Sequence, residues 1–310
     1  IKILWATHSV HHHGEDFNLA TALRQTSTGW LWKWIFYMPM ILLGVPVEVF
    51  IAVAGVNLVY QFWVHTEHIG HLGWMEKVFI TPMNHGIHHA KNKEYIDANY
   101  GGVFIIWDRM FGTYTAERSD LKPVYGTATP LNSWNPLWAN FQVFSIMIKD
   151  TIKTKSWHDK VKVWFSQTYW RPDDCIEEKN PNDFYKKFNP KVTSDIKIFG
   201  FFQMLLTIAV SGSVLTFVSS HTYFEIAAFG IIIVFISSIT GYLMQAKVLA
   251  YRMILFFAFF TILGIYYFEF ISLELLSTKL LLAQLYMNIL AVIATYSMQS
   301  LQNIKILETK

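Results

Sequence analysis

A single cysteine, Cys175, in 310 residues excludes an internal disulfide and a thiolate metal site. Charge is scarce as well: 15% of the residues are Asp, Glu, Lys or Arg, where soluble domains average about a quarter. The 25 basic and 22 acidic residues nearly cancel and lie scattered, so nucleic acid is not an expected partner. No basic-then-apolar leader with a small-residue cleavage site opens the chain, and there is neither a repeat nor a low-complexity tract. Because residue 1 is Ile, we expect the chain to be a fragment of a longer one.

What is abundant is apolar. Hydrophobic residues make up 53%, with 25 Phe, 15 Tyr and 12 Trp, and the mean hydropathy is +0.30. That composition fits a protein with lipid as part of its solvent and aromatic rings at the interface. Only nine charged residues fall between 198 and 310. Four runs there, about Ile198–Ser220, Tyr223–Met244, Tyr251–Ile271 and Leu280–Leu301, are each near the roughly 20 residues that a spanning helix needs, and predict four crossings. Lys186, Lys187, Lys191 and Lys197 precede the first run, Lys247 and Arg252 bracket the middle connection, and Lys305 and Lys310 follow the last, whereas the other connections hold only Lys279. The positive-inside rule then places residues before 198, the middle connection and the C-terminus in the cytoplasm.

Upstream, Trp30–Trp63 is too long for one span and is interrupted by Pro39, Gly44 and Pro46, which predicts a membrane hairpin, either two tilted spans or a shallow re-entrant pair. Residues 64–197 read as a cytoplasmic segment against the membrane. Its lysines 149, 153, 155, 160 and 162 beside Ile and Trp suit either an interfacial helix on an anionic leaflet or an ordinary solvated helix. The expected fold class is all-α: an integral membrane helical bundle with a cytoplasm-facing, histidine-rich di-metal site. Its parts would be a catalytic domain over 1–175 with the hairpin at about 30–63, a cytoplasmic linker over 176–197, and a four-helix transmembrane region over 198–310.

Ten of the twelve histidines fall between residues 8 and 89. His8-Ser9-Val10-His11-His12 and His85-Gly86-Ile87-His88-His89 share the spacing HxxHH, and His65 stands at the exit of the hairpin. On a helix, positions i, i+3 and i+4 share a face, so each cluster is expected to aim three imidazoles at one point. Six close imidazoles without a metal repel one another when protonated and are costly to desolvate. His8, His11, His12, His65, His85, His88 and His89 are too many for one ion, and two metals are the economical reading. Imidazole suits Zn, Cu, Fe and Ni. Iron is chosen partly because a metal pair facing lipid can activate O2 toward an unactivated C–H bond. Isolated histidines are more often structural than ligating, the reading taken for His13, His68, His71, His158 and His221.

Two HxxHH clusters flanking a membrane hairpin resemble the fatty acid hydroxylase and sterol desaturase superfamily, membrane non-haem di-iron enzymes. His8–Gln25, Tyr60–Glu67, Thr81–Asn92, Asp97–Thr113 and Pro123–Trp138 resemble its ether-lipid-cleaving branch, the alkylglycerol monooxygenases, over about residues 1–175 and more loosely beyond. The resemblance implies seven iron ligands (His8, His11, His12, His65, His85, His88, His89), two irons, tetrahydrobiopterin as reductant, and a lipid substrate, a glyceryl ether, with O2. The superfamily's first box, HxxxH, is absent from the sequence and is expected upstream of Ile1, so that the chain alone would bind metal incompletely. For the outer acceptors of the imidazoles, Glu15, Asp16, Glu67, Asp97 and Asp108 are available, Asp16 and Asp97 being preferred, with helix capping an equal role for Asp16 and Asp108. The roles of Asn18, Arg24, Gln25, Asn99 and Tyr100 stay open. Other functions are a sterol desaturase or a fatty acid or carotenoid hydroxylase and, from another class, a membrane metal-binding or transport protein. Against transport, the C-terminal runs offer only Glu225, Glu269 and Glu274 and no matched polar path.

Overall fold

The computed structural model describes residues 1–176, 184–247, 249–268, 272 and 274–308. It is all-helical, with isolated β-bridges and no strand among the described residues. Two compact units emerge: Ile1–Asn132 with Trp138–Phe188, and Ser133–Leu137 with Asn189–Lys310.

In the first unit, α1 (Lys2–His12) is followed by the short α2 (Leu19–Ala22), begun by Asn18 through a capping box with Thr21. The apolar stretch folds as α3 (Trp30–Leu42) and α4 (Val47–Trp63), and neither helix has a buried residue. A helix that is apolar all round and uncovered by protein belongs in lipid. Of the three expected breakers, Gly44 at φ +75° and Pro46, the residue before α4, make the turn. Pro39 stays inside α3, where it removes the bond to the Ile35 carbonyl and crowds that carbonyl with its ring without ending the helix. At 13 and 17 residues the arms reach about 20 and 25 Å, short of the roughly 30 Å hydrocarbon core.

Beyond the hairpin come α5 (Pro82–His88), α6 (Ile106–Phe111), α7 (Pro136–Lys153) and α8 (Trp157–Phe165). Thr81 caps α5 with Pro82 in its first turn, and Ser156 caps α8. Three apolar clusters hold the helices that carry histidines. Ala6 of α1 meets Val143 and Met147 of α7 and Val163 of α8, Ile87 packs with Tyr95 and Ala98, and Val64 packs with Ile80 and Ile105. Burying each large side chain contributes about 1.5–3 kcal/mol.

The second unit is a bundle of α9 (Ser194–Thr216), α10 (Tyr223–Leu243), α11 (Leu249–Phe268) and α12 (Leu276–Glu308). Ser194–Thr216, Tyr223–Leu243 and Leu276–Ile293 are long and apolar enough to cross a membrane, and the third expected run contributes the shorter apolar Ala250–Tyr266. Residues 269–271, with Glu269, and residues 309–310 lie outside the described chain, as do residues 177–183 of the expected linker. Val210, Phe229, Ile232, Ala258 and Leu281 form the core, while Phe201, Phe235 and Phe259 point outward. An apolar core gains little between helices already in lipid, so polar contacts carry more of the association. Gln284 donates to Gln203 Oε1 (3.0 Å) and Thr207 Oγ1 (2.8 Å), and Asn288 donates to Gln203 Oε1 at 3.3 Å. These amides fix α12 against α9. The protein is an integral membrane protein on this evidence.

Candidate metal centre

The seven histidines expected as ligands converge, in a pattern that spacing alone does not give. His11, His65, His85 and His89 form one group and His8, His12 and His88 another, with the ligating atoms of each group within 4.8 Å of one another. Each HxxHH box is therefore split. The first sends i and i+4 to the group of three and i+3 to the group of four, and the second does the reverse. The expectation that each box aims three imidazoles at a single point is corrected: 3.6 residues per turn fan i, i+3 and i+4 across an arc, wide enough here to face two points. The groups adjoin, with His12 stacked on His89 at 4.3 Å between ring centroids.

Hydrogen bonding fixes which nitrogen is available. His65 Nδ1 lies 2.6 Å from the Gln61 carbonyl, His88 Nδ1 3.0 Å from that of Ala98, and His11 Nδ1 3.2 Å from that of Arg24. A carbonyl only accepts, so Nδ1 carries the proton in all three and Nε2 presents a lone pair. The Nε2 atoms then crowd: His65 to His11 at 3.0 Å, His85 to His65 at 2.9 Å and His89 to His85 at 3.1 Å. His11 and His65 thus meet through two unprotonated nitrogens, an acceptor–acceptor contact that repels unless a cation lies between them. The buried Nε2 of His12 likewise has no hydrogen-bond partner. An all-imidazole set with lone pairs turned inward fits a divalent transition metal such as iron or zinc.

Burial tunes the same groups. It pushes the pKa of His11 down to about 3 and that of His8 to about 4. It holds His12, His85 and His89 well below the ordinary value and lowers His65 and His88, with neighbouring imidazoles adding to the effect at all but His88. His8 has exposed surface, and that surface lines a cavity that opens to the outside. All seven are neutral, hence ligand-competent, at neutral pH. The cavity holds about 460 Å³ and is lined by His8, His12 and His88 together with Lys91, Asp97 and Tyr100.

The outer acceptors found, at His11, His65 and His88, are main-chain carbonyls. None of the described hydrogen bonds joins a carboxylate to these seven rings. Asp16 pairs with Lys187 and Asp97 accepts from Tyr100 and Thr168, so the preference for those two is not met. Glu15 accepts from the Phe188 amide, and Glu67 faces Tyr125, whose pKa is pushed up chiefly by burial and further by the Glu67 carboxylate. Asp108, buried, takes the amides of Tyr100 and Gly101 and the Thr113 hydroxyl. Arg24 braces α1 through Val10 O as well as receiving His11, Asn18 caps α2, and Gln25 turns back on Ala22. His13 is buried beside Thr127, His71 and His158 are exposed beside Glu76 and Asp159, His68 is exposed, and His221 is buried against Ser277. None of these five joins either group.

Asn99 is the residue whose role the structure supplies. It sits at φ +53°, and Asp97 at +61°, a left-handed conformation that few side chains tolerate. Its amide donates to Asn84 O (3.0 Å) and Thr115 O (2.9 Å) and accepts from Thr115 N at 2.9 Å. The segment thus pinned presents Ala98 O to His88. Gly101 allows the close return, since a Cβ there would stand 2.5 Å from Phe104 O. Asn99→Ala is expected to cost at least about 2 kcal/mol by leaving buried groups unpaired, and to weaken metal binding at the three-histidine group about tenfold. Chemical denaturation and metal titration of the purified protein read both.

The fatty acid hydroxylase family model matches residues 1–113. The chain is similar to alkylglycerol monooxygenase of Xenopus tropicalis, 37% identical over 215 residues covering 68% of this chain and 48% of that one. Similarity to the Homo sapiens alkylglycerol monooxygenase is 41% over 172 residues, 56% of this chain and 38% of that one. The ornithine lipid hydroxylase OlsE of Rhizobium tropici is 30% identical over 119 residues, 36% and 34% of the respective chains. The chain spans about half or less of the length of the curated relatives it matches. No solved structure matches it.

Proposed function

We propose, from the match of residues 1–113 to the fatty acid hydroxylase family model, that the protein is a membrane di-iron monooxygenase that hydroxylates a lipid C–H bond and so cleaves the ether bond of alkylglycerols. The observation that carries this is the division of seven neutral imidazoles into groups of four and three whose rings stack on one another. Two irons held by these groups would supply O2 activation. Similarity to the alkylglycerol monooxygenases supports the glyceryl ether as substrate.

The chain's residues divide the work. The carbonyls of Gln61, Arg24 and Ala98 hold the Nδ1 protons of His65, His11 and His88 and keep each Nε2 turned to a metal. The cavity beside His8, His12 and His88 receives the carbon next to the ether oxygen, and the apolar walls α3 and α4 give lipid on the same unit. Insertion of one oxygen atom of O2 at that carbon, with two electrons and two protons reducing the other to water, gives a hemiacetal. Its collapse to aldehyde and glycerol derivative breaks the C–O bond. The reductant implied by resemblance is tetrahydrobiopterin, and Lys91, Asp97 and Tyr100 in the cavity wall offer polar groups for such a ring. We place the histidines, residues 90–197 and the C-terminus on the cytoplasmic side, on the distribution of lysines described above.

The decisive experiment incubates iron-loaded protein in lipid with a glyceryl ether, a sterol and a free fatty acid under O2 and a pterin reductant. Aldehyde release from the ether alone is expected. Turnover of the sterol or the fatty acid instead would assign one of the sister activities, and metal binding without any turnover would favour the metal-binding reading.

A further inference from the structure

We propose that the outer face of α6, with Trp74 and Phe104, docks in the headgroup region of the bilayer and holds the histidine site at that depth. The helix has six residues, Ile106–Phe111, and turns one side inward through Asp108 and the preceding Ile105, both buried. Apart from Arg109 the rest is apolar and uncovered: Trp107 is 54% exposed, Met110 66% and Phe111 76%, and Trp74, two residues before the Glu76 carbonyl that Arg109 reaches at 3.5 Å, is 68% exposed. Large apolar side chains gathered this way mark a contact surface.

Two observations name the bilayer as the occupant. The first is continuity with a surface already in lipid. A Cβ on Gly102 would lie 3.2 Å from Gln61 Nε2 and 3.6 Å from Asn57 Oδ1, both on α4. Tyr60 of α4 donates to Ile80 O at 2.7 Å, and Ile80 N bonds to Val103 O at 2.8 Å. Residues 101–105, leading into α6, are therefore pinned to the last two turns of the membrane hairpin. The second is charge. Arg109, stacked 3.8 Å from the Tyr114 ring, and Lys77 are exposed cations here, while Glu76 is turned back onto the Leu72 amide and pairs with the exposed His71, and Asp108 is consumed inside. Trp and Phe flanked by Arg and Lys is the composition of an interfacial belt. Tyr100, on the same loop, lines the cavity with its ring 5.8 Å from that of His88. A lipid leaving the bilayer at this face is then one loop away from the histidines.

The inference rests on the membrane reading of the hairpin, so its test includes a probe there. Cys175 is buried and stays in place, with the unsubstituted chain as the labelling blank. Single cysteines are placed by Met110→Cys, Phe111→Cys, Val53→Cys in α4 and Arg118→Cys in an exposed ion pair. Each is labelled with an environment-sensitive fluorophore in the full chain, in nanodiscs of phosphatidylcholine and phosphatidylserine with lipids brominated at shallow or deep positions. Probes at 110 and 111 are expected to be blue-shifted and quenched by shallow bromines several-fold more than the probe at 118, and the probe at 53 most by deep bromines. A probe at 111 as aqueous as that at 118, with 53 quenched, overturns the docking and leaves the hairpin standing. An aqueous probe at 53 overturns both. A blue shift at 111 without lipid quenching means that a second protein copy covers the face, and also overturns the proposal.

Discussion

His65→Ala is expected to abolish metal binding at the four-histidine group and any oxygenase activity with it. His65 lies within hydrogen-bonding range of both His11 and His85, at 3.0 and 2.9 Å, so its loss leaves three imidazoles and an opening where the fourth stood. Loss of a partner merely behind a ligand costs about 10- to 100-fold in metal affinity, and loss of the ligand itself is expected to exceed that. Titration with cobalt(II), read by the intensity of its tetrahedral absorption and by chelator competition, measures the effect. His11→Ala is expected to behave alike, whereas His71→Ala and His158→Ala, at exposed positions outside both groups, should leave the titration unchanged. A titration curve for His65→Ala that matches the unsubstituted protein would remove His65 from the ligand set.

The second large effect is on stability against acid. Burial lowers the folded pKa of His11 to about 3 and of His8 to about 4, from 6.5. The unfolded chain therefore binds more protons than the folded one between those values. Each such group contributes stability that is complete above pH 6.5 and is lost as pH falls from there toward 3 to 4, at about 1.4 kcal/mol per pH unit for each proton taken up. Metal-free protein is expected to unfold steeply between pH 6.5 and 4, with the transition temperature at pH 5 far below that at pH 7.5. The metal-loaded form should resist until protons displace the ion. A transition temperature that stays level across this window in the metal-free protein would mean that the imidazoles are solvated and the assembled site is wrong.

Legibility of the sequence differed by kind of information. The seven histidines were readable because their number and the repeated HxxHH spacing have no other economical use. The membrane helices were readable because a run of apolar residues near Phe229 or Leu281 needs only length and hydropathy. How the boxes divide was not readable, since i, i+3 and i+4 share a face on paper and only the orientation of α1 against α5 decides that His11 joins His85 and His89. The outer acceptors were hidden for another reason. Gln61, Arg24 and Ala98 act through main-chain oxygen, which every residue has, so side-chain chemistry pointed to Asp16 and Asp97 instead. Asn99 left a faint trace, as asparagine is among the few residues at home with positive φ, but that meaning needs the backbone.

The position of His65 just beyond α4 has a mechanical consequence. Its ring is tied to the Gln61 carbonyl in the last turn of a 17-residue helix with no buried residue, so the ring moves with the helix end. Helices shorter than the hydrocarbon thickness respond to thicker bilayers by drawing their ends inward or thinning the lipid around them, at fractions of a kcal/mol per Å. With the hairpin in lipid as proposed, membrane thickness bears on one corner of the four-imidazole group, and the same chain in a thin and in a thick membrane would hold a bound ion under different tension.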